Sequence, residues 1–518
     1  MTGEVKLRRY HAPVWNEPII LELGRRGERG VLLPEVEEGI RRSVGPTEGL
    51  LSANVRRKSS PELPELSQAQ VLRHYLRLSQ QTLGMELDVD LGVGTCTMKY
   101  SPKVNERLAA MIADVHPDQP EETIQGLLEM VWRFGHVFLR EISGMDEFSF
   151  QPPGGSAAAF NNACMMRKYH ELRGEAAQRN EIITTIFSHP CDAACPATAG
   201  YKVVTLYPDE ETGLPDVEAL KAAVSEHTAG LFITNPEDTG IFNQEIDEWT
   251  GIVHEAGGLC AYDQANANAI LGITRARDAG FDMCFFNLHK TFSSPHGSSG
   301  PGCGAVGVTE ELAKFLPVPV VLKEGDRYHL DYDRPHSIGK IRDFHGNLSS
   351  VVRAYAWAMS MGADGLREVA EVSAINNSYL ETKVKKIRGV TKPYSVERRV
   401  DQIRYSLGRM KEDTGVGVDD VNRRVVDYGV QTYFTSHHPW IVPEPFTPEP
   451  CETYSKADID YWAEVLRQVS EEAYSEPEKV KTAPHNSSIS RINSAPFDDP
   501  ERWAMSWRAY KRKRRQEK

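Results

Sequence analysis

The sequence predicts an α/β chain built on a mostly parallel sheet with helices on both faces. Three observations lead there. Apolar runs at 181–187, 202–207, 229–234, 258–262, 283–288 and 303–308 alternate with helical stretches near 123–140, 157–174, 216–226 and 245–257. Those runs are mostly apolar without strict alternation, as in strands buried on both sides. Polar residues gather where the runs end, and ligands of open parallel sheets sit beyond the carboxyl ends of the strands.

Composition bounds the rest. The 518 residues allow about three domains at ~150 residues each, or one large α/β enzyme subunit. With 40% hydrophobic and 26% charged residues the chain reads as an ordinary globular protein, and no apolar run suggests a membrane span. The first residues lack the apolar core of a signal peptide, so a cytoplasmic location is the expectation. A net charge of −13 argues against nucleic acid, whose phosphates demand clustered cations. The one basic cluster, Arg508 to Arg515, reads as a solvated tail. Eight dispersed cysteines without paired Cys-x2-Cys motifs predict reduced thiols and no metal site.

In chain order, prolines 13, 18, 34, 46, 61 and 64 make the first 66 residues an arm. Ser67 then caps a helix whose Leu72, Tyr75, Leu76 and Leu83 share one face, expected to pack into a core. Residues 92–103 form a turn rich in glycine and hydroxyls, with Lys99 and Lys103 beside them. Within it Cys96 invites a redox pairing with Cys451, although an inert buried thiol is the expectation.

The stretch Pro152-Pro153-Gly154-Gly155-Ser156 opens the helix at 157, so Gly155 and Ser156 offer backbone N–H groups and a helix dipole to a phosphate. His189 follows the first long strand, where a flat imidazole can stack on a ring and exchange protons. Thr234 and Asn235 end the 229–234 run with a hydroxyl and an amide, suited to a cofactor or a substrate carboxylate. Asp263 ends the 258–262 run, and Lys290 follows the 283–288 run ahead of a Ser/Gly-rich turn, 293–300. A lysine and an aspartate at neighbouring strand ends suit pyridoxal 5'-phosphate: the amine bonds the cofactor and the carboxylate keeps its ring nitrogen protonated. Gly302-Cys303-Gly304-Ala305-Val306-Gly307 matches a dinucleotide fingerprint but lacks a strand-turn-helix frame, so it is read as a strand.

Past 345 the chain turns helical, with two helices separated near Gly362 to Gly365. A strand-like run at 402–407 follows, then helices near 417–428 and 456–474, and a final extended wrap ending in a helix. The expected division is an arm and helix (1–100), a cofactor-binding large α/β domain (101–345), a small α+β domain (346–480) and a wrap with a basic tail (481–518).

Five ordered motifs now resemble one family. They are Thr95-Cys96-Thr97-Met98-Lys99-Tyr100, Asn287-Leu288-His289-Lys290-Thr291-Phe292, Pro295-His296-Gly297, Leu330-Asp331-Tyr332-Asp333-Arg334-Pro335 and Thr482-Ala483-Pro484-His485-Asn486. Together they resemble the pyridoxal-phosphate-dependent glycine decarboxylases, the P-proteins of the glycine cleavage system, in their split form where this would be the C-terminal subunit. The resemblance implies a type I transferase (aspartate aminotransferase-like) fold. It also implies Lys290 as the Schiff-base lysine, Asp263 as the pyridinium partner and His189 as the ring-stacking imidazole. By the same resemblance, glycine is decarboxylated and its aminomethyl group passes to the lipoyl group of an H-protein. It implies an N-terminal partner subunit as well, in a heterotetramer with two copies of each. Ala157 to Ala159, Pro190-Cys191-Asp192 and Gln264 depart from the family pattern, all near the expected cofactor. Two other readings stand beside this one: a divergent enzyme working on another small amino acid or amine, and a silent scaffold, against which the retained Lys290 and Asp263 argue.

Overall fold

Among the described residues, seven strands make the central sheet: β1 (Glu147–Ser149), β2 (Glu181–Thr185), β3 (Lys202–Leu206), β4 (Thr228–Thr234), β5 (Leu259–Asp263), β6 (Met283–Asn287) and β7 (Gly304–Val308). Their order is β1-β7-β6-β5-β4-β2-β3. The ladders from β3 through β2, β4 and β5 to β6 are parallel, and β7 runs antiparallel to both β6 and β1. The structure is a computed structural model and describes residues 5–84, 87–89, 91–92, 99–116, 118–297, 300–343, 346–430, 435–493, 497, 499–500 and 503–516. Thr95 to Met98, Ser298 and Ser299 lie outside the described residues, and so does the Cys96 pairing with Cys451.

The mostly apolar runs have a direct cause. Successive side chains of a strand point to opposite faces, and both faces here are covered. Leu231, Ile233, Cys260, Tyr262, Cys284 and Phe286 join one core. Phe232, Leu259, Ala261, Met283 and Phe285 join the other. Helix α1 (Gln68–Gln80) precedes the sheet and α2 (Gly155–Leu172) leads from β1 towards β2; α3 (Cys191–Thr198) follows β2, and α4 (Ile246–Glu255) joins β4 to β5. Trp249 and Val253 of α4 fill the first core, while Ala158, Ala159 and Ala163 of α2 bring that helix close on the second. The closeness is tight: a Cβ on Gly304 would stand 2.9 Å from Ala158 Cβ. Gly304 therefore begins β7, and the rejected dinucleotide fingerprint is a buried strand.

Beyond the sheet, α5 (Leu348–Val384) is one continuous run with a kink at Gly362, whose φ of 65° places it in the left-handed region. Its two halves are the two expected helices. A separate core gathers Leu380, Val384, Ile403, Tyr405, Val421 and Phe446 with Trp462 and Leu466 of α6 (Lys456–Ser475).

Two expectations need correction. Ser67 caps α1 with a full capping box to Gln70, but Leu72, Tyr75 and Leu76 are 60%, 53% and 52% exposed. The face that α1 buries instead centres on His74, whose Nδ1 lies 2.8 Å from Glu17 Oε1. Periodicity identifies residues that share a face; it does not say whether anything covers it. Among the described residues, the strand expected at 402–407 pairs only at Tyr405–Ser406, against Pro445–Phe446, with Ser406 also bridged to Thr391. Among the described residues no helix is long and apolar enough to cross a membrane.

Candidate active site

The polar strand ends converge. Thr234 is the register partner of Asp263 across β4 and β5, and Asp263 in turn faces Phe285 across β5 and β6. The ligating atoms of His189, Cys191 and Asp263 lie within 4.8 Å of one another. Asp263 Oδ1 accepts the Ala265 N–H at 2.8 Å, and Cys191 Sγ sits 3.8 Å from Oδ2. Burial pushes the Asp263 carboxyl up to about 6, opposed by the Ala265 N–H and the Lys290 ammonium.

Lys290 is itself buried, at the turn where its N–H returns to the Asn287 carbonyl at 3.0 Å. Its charge is felt throughout the site. After burial, it is the largest influence depressing His189, to about 4, and His289, to about 3. Both imidazoles are therefore neutral at neutral pH. His189 is further fixed by its own loop: its backbone N–H donates to Thr234 Oγ1 at 3.1 Å, and its Nδ1 accepts the Cys191 N–H at 3.1 Å. That leaves the ring plane set before any ligand arrives.

On the other side, Gly155 and Ser156 form the first turn of α2, following Gly154 in extended backbone. A Cβ on Gly155 would stand 2.8 Å from Asn287 Nδ2, so only glycine leaves room between the helix start and the β6 end. Asn287 Oδ1 and Gln264 Oε1 are buried without a hydrogen-bond partner among the described residues. Open N–H groups at a helix start, a glycine gap, a buried acid, a neutral imidazole and a buried lysine fit a flat pyridine bearing a phosphate. Thr234 supports this arrangement through His189. The Asn235 side chain is turned elsewhere, with Nδ2 on the Asn243 carbonyl at 3.1 Å and Oδ1 on its N–H at 2.8 Å.

The sequence reading missed several groups and noted Asp192 only as a departure from the family pattern near the cofactor. Asp192 is buried and accepts from Thr234 Oγ1 at 3.0 Å, its pKa driven well up by burial and then by Asp263. His437 stands with its ring centroid 5.8 Å from that of His189. Asp401 and Glu449 approach from the C-terminal part and meet the Asn266 amide. No local pattern marks His437, Asp401 or Glu449; Glu449 sits between Pro448 and Pro450.

The strand order, with one antiparallel strand beside a parallel set, and the aspartate–lysine pair at its strand ends define the type I pyridoxal-phosphate-dependent transferase fold. Solved structures agree. The crystal structure of glycine decarboxylase (P-protein) of the glycine cleavage system, in inhibitor-bound form, superposes with a TM-score of 0.71 at 20% identity, covering 85% of this chain and 100% of that one. The cysteine desulfurase CsdA from Escherichia coli gives 0.57 at 14% identity, covering 76% and 98%. No protein-family model matches the chain. Relatives named probable glycine dehydrogenase (decarboxylating) subunit 2 do: that of Pyrococcus abyssi is 44% identical over 506 residues, 97% of this chain and 98% of its own length. That of Thermococcus onnurineus is 45% identical over 504 residues, 96% and 97%. The chain belongs to the family of glycine dehydrogenase (decarboxylating) subunit 2, as its five motifs led one to expect.

Proposed function

We propose that this chain is the cofactor-bearing, decarboxylating subunit of a cytoplasmic glycine cleavage enzyme. Its substrate is glycine, its acceptor the lipoyl group of an H-protein, and its partner an N-terminal subunit in a heterotetramer. The observation that carries the reading is the buried Asp263–Lys290 pair at adjacent strand ends, in a chain that shares 44% identity with a subunit of that name over nearly its whole length.

Pyridoxal phosphate, when bound, supplies an electron sink for the electron pair left behind as the carboxylate departs. The residues divide the remaining work. Lys290 Nζ would bond the cofactor and, when free of it, would hold or pass a proton. Asp263 holds a proton on the ring nitrogen by hydrogen bond and charge. The first-turn N–H groups at Gly155 and Ser156, with the α2 dipole, take the phosphate. His189, neutral and fixed by Thr234 and Cys191, lays a flat face along the ring without adding a competing cation.

The test is exchange of labelled bicarbonate into the carboxyl carbon of glycine, with the partner subunit and lipoylated H-protein present. Exchange that vanishes in Lys290→Ala supports glycine decarboxylation at this lysine. No exchange, in protein whose lysine-bound cofactor still absorbs in the visible, moves the reading to a divergent enzyme for another small amine. Cys191, Asp192 and Gln264 would then be the residues to exchange.

A further inference from the structure

The thiol of Cys191 lies within the cofactor site, and nothing derived so far uses it. Its Sγ stands 3.8 Å from Asp263 Oδ2 and 3.9 Å from Asp192 Oδ1. All three residues are buried, so the thiol is wedged between two carboxyls in a dry place. Acids packed in this way oppose one another's ionisation. The imidazole of His189 completes the group: one ligating atom from each of His189, Cys191 and Asp263 lies within 4.8 Å of the other two. His189 is neutral, so one of its ring nitrogens carries a lone pair.

Thiolate, imidazole and carboxylate are the donors that zinc takes in proteins. A thiolate sulfur and a carboxylate oxygen on one tetrahedral zinc, at about 2.3 and 2.0 Å, stand roughly 3.5 Å apart. The Cys191–Asp263 spacing of 3.8 Å is within a small side-chain adjustment of that. These donors come from the loop after β2, the start of α3 and the end of β5, so no Cys-x2-Cys pair announces them. A second group of the same composition, His254, Cys260 and Asp282, shows what a closed one looks like. There His254 Nε2 and the Cys260 N–H both close on Asp282 Oδ2 at 2.8 Å, leaving that oxygen no room for an ion. In the cofactor site the Ala265 N–H takes Asp263 Oδ1 instead, and Oδ2 is turned to the thiol.

We propose that His189, Cys191 and Asp263 form a zinc site in the cofactor-free chain, so that zinc and pyridoxal phosphate are alternative occupants of one pocket. Water fills the fourth position on the ion. As the Sγ–zinc bond forms, the thiol proton and the water shed by the ion pass to solvent, and nothing is oxidised or reduced. Exclusion follows from the shared groups. Asp263 cannot serve the ring nitrogen while it binds the ion, and His189 cannot lie along the ring. The inference rests on the reading of those two residues as cofactor-binding, but the zinc half of its test needs no cofactor.

Cofactor-free protein is titrated with zinc against a colorimetric chelator, and with cobalt(II) as a coloured substitute. Cobalt should give the near-ultraviolet charge-transfer band of a metal–thiolate bond. X-ray absorption of the zinc form should show one sulfur at about 2.3 Å beside nitrogen or oxygen at about 2.0 Å, a result that needs no variant. Cys191→Ser should lose the cobalt band and bind zinc at least about tenfold more weakly, since even partners outside the ligand set are worth that much. Cys260→Ser, in the closed group, should change neither. One equivalent of zinc should stop added pyridoxal phosphate from developing its visible band until EDTA removes the ion, and should not do so in Cys191→Ser. A parent with no sulfur neighbour and no thiolate band, or a Cys260→Ser variant that loses them, would overturn the zinc site and leave the reading of Lys290 and Asp263 standing. Zinc bound through Cys191 that leaves cofactor uptake unhindered would overturn the shared pocket, and with it the placing of the ring nitrogen at Asp263.

Discussion

Thr234 Oγ1 donates to Asp192 Oδ2 at 3.0 Å while accepting the His189 backbone N–H at 3.1 Å. One hydroxyl at the end of β4 thus ties the imidazole loop to the start of α3. Valine has nearly the same shape and neither function, so Thr234→Val strands a part-buried N–H and a buried carboxyl together. The expected loss is about 1–3 kcal/mol in denaturant unfolding. Weaker cofactor binding, read from visible absorbance, should accompany it as His189 loosens. A variant with the parent's stability and cofactor affinity would remove Thr234 from the site.

Buried acids give the cofactor-free protein a pH signature. Burial raises Glu237 and Glu449 to about 8 from 4.5, and Asp263 and Asp401 to about 6 from 3.8. Each keeps its proton to a higher pH when folded than when unfolded. Its contribution is therefore complete below the unfolded value and is lost as pH rises through the folded one. Through these acids stability should fall as pH rises towards 8, most clearly above about pH 6.5, where the depressed His189 and His289 no longer act in the opposite sense. Glu237→Gln, at a carboxyl that accepts from Thr185 Oγ1, should flatten the upper part of that decline. Melting temperatures of parent and variant at pH 5 and pH 8 decide it: an equal drop in both would place the loss elsewhere.

The sheet was legible because its strands are buried on both sides, so apolar runs betray them without help from neighbours. β1 escaped, since Glu147-Phe148-Ser149 is three residues long and mostly polar, and α3 escaped because Pro196 sits inside it. Asp263 and Lys290 could be read because each marks the end of such a run. Asp401, Glu449 and His437 could not: they reach the site only through the way the C-terminal part folds back on the sheet. The exposed face of α1 fails for the converse reason, as an apolar stripe looks the same whether or not a partner covers it.

The glycine gap at the helix start makes its own prediction. Gly155→Ala sets a methyl 2.8 Å from Asn287 Nδ2, a side chain that can yield, whereas Gly304→Ala meets the Gly154 carbonyl oxygen at 2.8 Å, which cannot yield cheaply. The first should chiefly weaken cofactor binding, by about tenfold or ~1.4 kcal/mol. The second should chiefly destabilise the fold, by about 1–3 kcal/mol as overpacking does. Calorimetry of cofactor-free protein beside a cofactor titration separates the two, and a reversed order would mean that the helix start does not face the phosphate.

Lys99 supplies the sharpest stability test. Its side chain is 0% exposed, both oxygens of Glu452 lie within 2.9 Å of Nζ, and the ammonium stands 5.1 Å from the Trp357 ring centroid. The ion pair joins the N-terminal segment to the region after Cys451, with α5 between them. Lys99→Met leaves the 14% exposed Glu452 side chain without its cation. The expected cost is about 3–5 kcal/mol, because the penalty is the stranded charge more than the lost attraction. Lys99→Met combined with Glu452→Leu removes that charge too, and should recover much of the loss. A double variant as unstable as the sum of the two single variants would mean that Lys99 holds the segment through Trp357 and packing, not through Glu452.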